Sequence, residues 1–404
     1  MLKIFFLEKG SSHSYFARMT FHRWTSNRLL FAMLGLLFLL LSSCAKTEET
    51  TKINLKEIEL KYAQGFEIQK GEGYFIITVS QPWTGAEARY IYLALEAGAT
   101  TPNGEFDAVI KANPERIVLT STTQIPHLDL LGISDRLVGF PDTDLISSEV
   151  TRKLVDGGKV KDLGSGPSAN TELTLELEPD LMVISTLGED LKFLEFLKTA
   201  GVPAVINGEY VEQHPLGRAE WIKFTGALTG KLDGATAVFN RIEKEYLEAL
   251  EIVQNSSSQN SPEILSGVMY KDIWYAPGSD SWGAQILKNA GGSYIFEEQK
   301  GTGSLQLNYE YVLENGINAE FWIGSADFES LESMGKMEPR YAVFEAFKTG
   351  NVYTYTQKKG AKGGLEYFEL GYMRPDLILK DMIKIIHPEL LPEYELYFYK
   401  KLND

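Results

Sequence analysis

The chain has 404 residues, 44% of them hydrophobic and 23% charged, with 55 Asp and Glu against 39 Lys and Arg and a formal charge of −16. That length can bury a large core and fits about two domains. The acidic balance, without clustered Lys and Arg, excludes nucleic acid and a polybasic membrane contact as partners, because phosphate binding needs grouped cations.

The first informative segment is LLFAMLGLLFLLLSSC, residues 29–44, which follows Arg23 and Arg28 and ends on Cys44, the only cysteine of the chain. Its apolar run is shorter than the roughly 20 residues that span a bilayer, and a lone cysteine rules out intramolecular disulfides. The segment resembles a bacterial lipoprotein signal with an L-S-S-C lipobox, which implies export, cleavage before Cys44 and lipidation of that residue. The expected organisation is therefore a signal peptide over 1–43, with Met1 or Met19 as its start, and a lipidated tether over 44–52. Because the leader holds five Lys and Arg against Glu8, the remainder is more acidic than the whole.

Residues 53–112 read as a β-rich extension. YFIITVSQPW and ARYIYLALE are β-branched and aromatic runs separated by Pro82 and Thr84-Gly85, the pattern of two strands and a turn. From 113 to 217 short apolar strands alternate with helices: ERIVLT, IPHLDLLGI, RLVGF, DLMVIST, LKFLEFLKTAG and VPAVIN. Alternation of this kind predicts parallel sheet with helices layered on it. Residues 218–254 carry apolar positions at helical spacing, with a break near Gly230 and a long helix from about Leu232. After the loop NSSSQNSP the α/β pattern resumes over 255–404, with EILSGVMY as a strand, SWGAQILKNAGG, YEYVLENG and RYAVFEAFKTG as helices, EFWIG and VYTYTQ as strands, and DLILKDMIKIIHPELL as the last helix. The predicted fold class is α/β: two lobes with mostly parallel sheets joined by a long connecting helix, plus the N-terminal β-rich extension.

From about Asn113 to Pro392 the order and spacing of several pieces resemble the solute-binding proteins of ABC importers for iron–siderophore complexes and cobalamin. These pieces are PERIVLTSTTQIPHLDLLGISDRLVGF, NTELTLELEPDLMVIS, HPLGRAEWIKFTGALTGK and MRPDLILKDMIKIIHPELLP. The resemblance implies a ligand cleft between lobes and an ABC permease with its ATPase subunits as partners. It implies an exported chain tethered to the envelope by lipid, on the periplasmic or the outer surface. It also implies two permease-docking carboxylates, one per lobe, matching Glu172 in NTELTLELEPD and Glu310 in NYEYVLENG. No resident cofactor is expected; iron or cobalt would arrive inside the ligand. The connecting helix implies closure by a modest tilt.

The implied cleft is lined by loops at strand ends: 120–124, 185–188, 207–210, 271–282, 325–328 and 356–374. Candidate ligand residues are Thr122, Tyr210, Trp274, Tyr275, Trp282 and Arg374, with Tyr372 behind them. The aromatic rings offer broad faces to a large ligand, and an arginine can fork onto a carboxylate or a chelate oxygen. Trp282 begins a helix and has packing as its competing role; for Arg374 the competing role is a helix-end ion pair. Trp274 and Tyr275, beside Lys271 and Asp272, are expected to be exposed.

Catalysis finds little support. His127, His214 and His387 are far apart, with no H-E-x-x-H, and no G-x-S-x-G or G-x-x-x-x-G-K-[ST] occurs. His127 lies on an apolar helical pattern and is expected to pack. A lipid-anchored surface hydrolase, or a scaffold or adhesion lipoprotein using the extension, are the readings from other classes.

Overall fold

The computed structural model describes residues 55–403 apart from 167–169, 189–190 and 257–259; the expected signal peptide, Cys44 and the tether lie outside them. Residues Asn54–Asp404 form one compact unit. None of the helices among the described residues is long and apolar enough to cross a membrane.

The N-terminal sheet contains β1 (Lys56–Ile58), β2 (Phe66–Gly71), β3 (Tyr74–Val79), β4 (Tyr90–Leu95) and β5 (Ala108–Lys111), in that spatial order. β1 to β4 are antiparallel and β5 runs parallel to β4. Alternation in β2 turns Phe66 and Ile68 inward and leaves Glu67 in solvent, as the two-residue period of a strand requires.

The first lobe alternates β6 (Ile117–Leu119), α1 (Ile125–Leu130), β7 (Leu137–Phe140), α2 (Glu149–Asp156), β8 (Lys161–Asp162), α3 (Thr171–Glu176), β9 (Leu181–Ile184), α4 (Leu191–Thr199) and β10 (Ala204–Ile206). The sheet is entirely parallel in the order β10-β9-β6-β7-β8. β6 and β9 are buried at every position, as expected for strands covered on both faces.

The connector is α5 (Pro215–Glu220), α6 (Ile222–Thr229) and α7 (Leu232–Gln254). Gly230 closes α6 in the left-handed region at φ +68, which ends the helix at the expected break. The connector divides its faces between two cores. Leu216, Ala219 and Ile222 pack into the second lobe, while Trp221, Phe224, Ala227 and Leu228 pack with the first lobe and the N-terminal sheet. Three-residue spacing on a helix is what separates these two sets.

The second lobe has β11 (Glu263–Ser266), β12 (Val268–Tyr270), β13 (Ile273–Pro277), α8 (Trp282–Asn289), β14 (Ser293–Tyr294), β15 (Ser304–Asn308), α9 (Tyr309–Gly316), β16 (Phe321–Ile323), α10 (Leu331–Met337), α11 (Glu345–Lys348), β17 (Val352–Thr354), α12 (Glu366–Leu370), α13 (Pro375–Ile386) and β18 (Lys400–Lys401). Its main sheet runs β14-β11-β16-β17-β18, parallel except for β18.

Three expectations change here. EILSGVMY is two strands, because Gly267 at φ +94 turns the chain out of the main sheet; a Cβ there would lie 2.1 Å from the Tyr275 carbonyl oxygen. RYAVFEAFKTG is a 3-10 turn, Pro339–Val343, followed by the single-turn α11. The chain also continues past the last helix into β18. There the buried Asp381 carboxylate accepts the backbone N–H groups of Tyr397, Phe398 and Tyr399 at 2.7–3.0 Å.

Candidate ligand cleft

Parallel sheets place ligands beyond the carboxyl ends of their strands, where the winding direction reverses. In the second lobe the reversal falls between β11 and β16, and Ser266, Gly267, Ile323 and Gly324 at those strand ends line a cavity of about 520 Å³. Its walls are aromatic: Tyr210, Tyr275, Trp282, Tyr355, Tyr367, Phe368, Tyr372 and Tyr399. That volume is within the usual range for small-ligand sites. Another cavity, about 200 Å³ between β4, β5 and α4, is smaller and lies at the amino ends of β4, β5 and β10.

One cation reaches the aromatic cavity. Arg218, on α5, is 6% exposed, and its guanidinium carbon lies 4.9 Å from the Trp282 ring centroid and 4.3 Å from that of Tyr372. Its Nε donates to the Glu212 carbonyl at 3.0 Å and its Nη2 to the Tyr210 carbonyl at 2.6 Å. Its Nη1 has no hydrogen-bond partner among the described residues. A guanidinium set against aromatic rings in a cavity wall gives that wall a fixed positive charge, which favours an anionic ligand.

Behind Arg218 the first lobe is polar. Glu209 is buried, accepts the Thr123 hydroxyl, and lies 3.7 Å from His127 Nε2. Burial pushes the Glu209 carboxyl up to about 7, against the pull of Thr123, Arg218 and Asn207. Burial lowers His127 to about 3, so the imidazole is neutral; its Nδ1 lies 2.8 Å from the Thr225 hydroxyl. His127 is thus a packed, hydrogen-bonded histidine.

The sequence-chosen residues divide. Tyr210, Tyr275 and Trp282 line the cavity, as does Tyr372. Trp274 does not: residues 273–277 are strand β13 rather than loop, and alternation sends Trp274 into the core at 0% exposure, its indole N–H on the Ser266 carbonyl at 3.0 Å. The same alternation turns Tyr275 to the cavity. Arg374 does not line it either; its guanidinium is held by Asp376 at 2.7 Å and Glu245 at 3.3 Å. Thr122 is half-buried in the turn Thr122–Gln124 and outside the lining. Arg218 was missed because HPLGRAEWIK reads as an amphipathic helix; only the aromatic rings brought over it from 282 and 372 distinguish it from a surface arginine.

Glu172 and Glu310 occupy equivalent places. Each is exposed in the first turn of a helix whose N-cap is an asparagine two residues earlier, Asn170 or Asn308, and each cap side chain accepts a backbone N–H. Neither carboxylate forms an ion pair among the described residues.

Residues 117–359 match the family described as periplasmic binding protein. The chain is 28% identical to an uncharacterized lipoprotein of Methanocaldococcus jannaschii over 374 residues, 90% of this chain and 91% of that one. It is 26% identical to a second uncharacterized lipoprotein of the same organism over 310 residues, 74% of this chain and 72% of the other. The fold is shared with a solved structure described as a possible iron-binding, periplasmic solute-binding protein of Staphylococcus epidermidis, at TM-score 0.53, 21% identity, 68% of this chain and 99% of that chain. With the family pattern running through both lobes and the connector, the chain belongs to the periplasmic binding proteins.

Proposed function

We propose that this protein is the lipid-anchored solute-binding component of an ABC importer, and that it captures an anionic iron(III)–siderophore chelate and delivers it to the permease. The observation that carries the reading is Arg218, a buried cation set against the rings of both Trp282 and Tyr372 in the wall of an aromatic cavity. Aromatic donor groups of a chelate stack on such walls, and the guanidinium charge favours an anionic chelate. A cavity of about 520 Å³ suits a compact chelate better than a complete corrinoid. Cys44 carries the lipid in this reading, and Glu172 and Glu310 meet cationic side chains of the permease.

Tryptophan-quenching titrations with a ferric catecholate siderophore, haem and cyanocobalamin test the ligand class. The expected result is ferric catecholate binding tighter than about 10 µM, roughly −7 kcal/mol, with Arg218→Ala weakening it at least tenfold. Binding of cyanocobalamin alone would transfer the assignment to corrinoids. Absence of binding by all three would remove the importer reading.

A further inference from the structure

The N-terminal sheet lies outside the matched family region, which starts at residue 117, yet it touches the segment that carries Tyr210 and Arg218 at both ends. At one end, five consecutive backbone N–H groups converge on two carboxylates. Lys61, Tyr62 and Ala63 donate to Glu220 at 2.8–3.0 Å, and Gln64 and Gly65 donate to Glu212 at 2.9 and 2.8 Å. Consecutive amides arranged in this way form an anion-binding concavity. Glu212 also accepts the Trp221 indole N–H at 3.0 Å, and Glu220 accepts Lys223 Nζ at 2.7 Å. Both carboxylates are buried, at 6% and 0% exposure.

At the other end, the loop between β3 and β4 meets the cavity rim. The Thr84 backbone N–H donates to the Tyr210 hydroxyl at 3.4 Å, and that hydroxyl donates to the Thr186 carbonyl at 3.2 Å. A Cβ on Gly208 would lie 2.2 Å from the Gln81 carbonyl oxygen, so the loop seats directly on the backbone leading into Tyr210.

We infer that the segment 61–65 positions the ligand-binding guanidinium, so that the N-terminal sheet is a working part of the cleft. Arg218 Nε hangs on the main-chain carbonyl of Glu212, the residue whose carboxylate is seated in the amide concavity. Seating Glu212 sets the place of that carbonyl and therefore the position of the guanidinium against Trp282 and Tyr372. The amides also satisfy the oxygens of two buried carboxylates on either side of Arg218 in sequence, at 212 and 220. Without them the Glu212 carboxylate, which has no cation of its own among the described residues, would draw the guanidinium away from the rings, because a buried charge without partners takes the nearest cation; Glu220 keeps Lys223. Positioning of this kind is distinct from the binding contact itself, which belongs to Arg218, and the inference rests on the cleft reading above.

The test uses the full chain and two readouts. The first is the rate at which phenylglyoxal modifies Arg218, followed by peptide mass spectrometry against Arg116 as an exposed internal reference; it requires no ligand. Glu212→Ala should raise the Arg218 rate at least fivefold, and Glu212→Gln, which keeps an acceptor oxygen, should stay within twofold of the parent. The second is a double-mutant cycle on ferric catecholate affinity. Glu212→Ala should weaken binding at least tenfold, and adding it to Arg218→Ala should cost less than a further twofold. An unchanged Arg218 labelling rate in a folded Glu212→Ala protein overturns the inference, as does full additivity in the cycle. If the parent binds no ferric catecholate, the ligand reading fails while the labelling rate still decides the positioning. Glu212→Asp, which withdraws the carboxylate by one methylene, repeats both readouts if Glu212→Ala does not fold. Failure of both to fold would reduce the clamp to a stability element and also overturn the inference.

Discussion

Glu369, on α12 of the second lobe, accepts the backbone N–H of Ser148 at 2.8 Å, and Ser148 is the N-cap of α2 in the first lobe. Its other oxygen accepts the Ser147 N–H at 2.8 Å. One carboxylate therefore caps a helix across the boundary between lobes, where the helix dipole favours negative charge. The same region of the second lobe drapes its glycine-rich loop over the first: Gly364 lies so close to Leu145 that a Cβ would stand 2.0 Å from its carbonyl oxygen. With a connector whose faces belong to both cores, these contacts favour small movements between the lobes.

The Glu369 contact has a pH signature. Burial pushes its carboxyl up from 4.5 to about 7, opposed by the Ser147 and Ser148 N–H groups and aided by Asp129 on α1. Lys358, Lys359 and Glu366 line the same groove. A carboxyl raised on folding binds more protons folded than unfolded between the two values, so stability falls as pH rises through that window. Glu369→Gln should therefore flatten the urea-unfolding free energy between pH 5 and 8 by about 1–3 kcal/mol relative to the parent. Equal slopes in parent and variant would show that the carboxyl ionises freely.

Gly364→Ala tests how tightly the loop seats. The added methyl meets backbone, which cannot rotate away, so the lobes must separate or the loop must lift. The expected cost is about 1–3 kcal/mol in denaturant unfolding. A stability unchanged within about 0.5 kcal/mol would mean that the loop is not held there in solution.

Trp274 and Tyr275 are neighbours on β13 with opposite duties. Trp274→Ala should destabilise the fold by about 3–5 kcal/mol, since it empties a site packed by Trp322, Tyr341 and Phe344. Its ligand affinity at a permissive temperature should stay within threefold. Tyr275→Ala should do the reverse, losing affinity with little change in unfolding midpoint. Matching effects from the two variants would contradict the strand alternation.

Glu172→Arg combined with Glu310→Arg should abolish ligand uptake in cells while leaving tryptophan-quenching affinity within twofold. Undiminished uptake by the double variant would remove both residues from the permease-docking role.

The alternating strand and helix pattern was legible from 113 onward because buried parallel strands read as short apolar runs and their helices as amphipathic ones. ERIVLT, RLVGF and DLMVIST lie on β6, β7 and β9, and the helix break at Gly230 follows from glycine's access to the left-handed region. The segment KDIWYAPGSDSW was less readable. Its Pro-Gly turn suggested a loop, but β13 forms a hairpin with β12 and pairs on its other edge with residues 304–308, some thirty positions away.

Chain order and local chemistry alone determined the family, the two-lobed plan and four of the cavity's aromatic residues, because those rest on periodicity and on motifs contiguous in sequence. Which cation lines the cavity was decided only by tertiary structure. Arg374 and Arg218 look alike in sequence, and each sits beside acids. Asp376 and Glu245 neutralise the first, while the second is seated by main-chain carbonyls and set against rings from distant segments. Long-range packing fixes where a charge can be satisfied, and no local pattern encodes it.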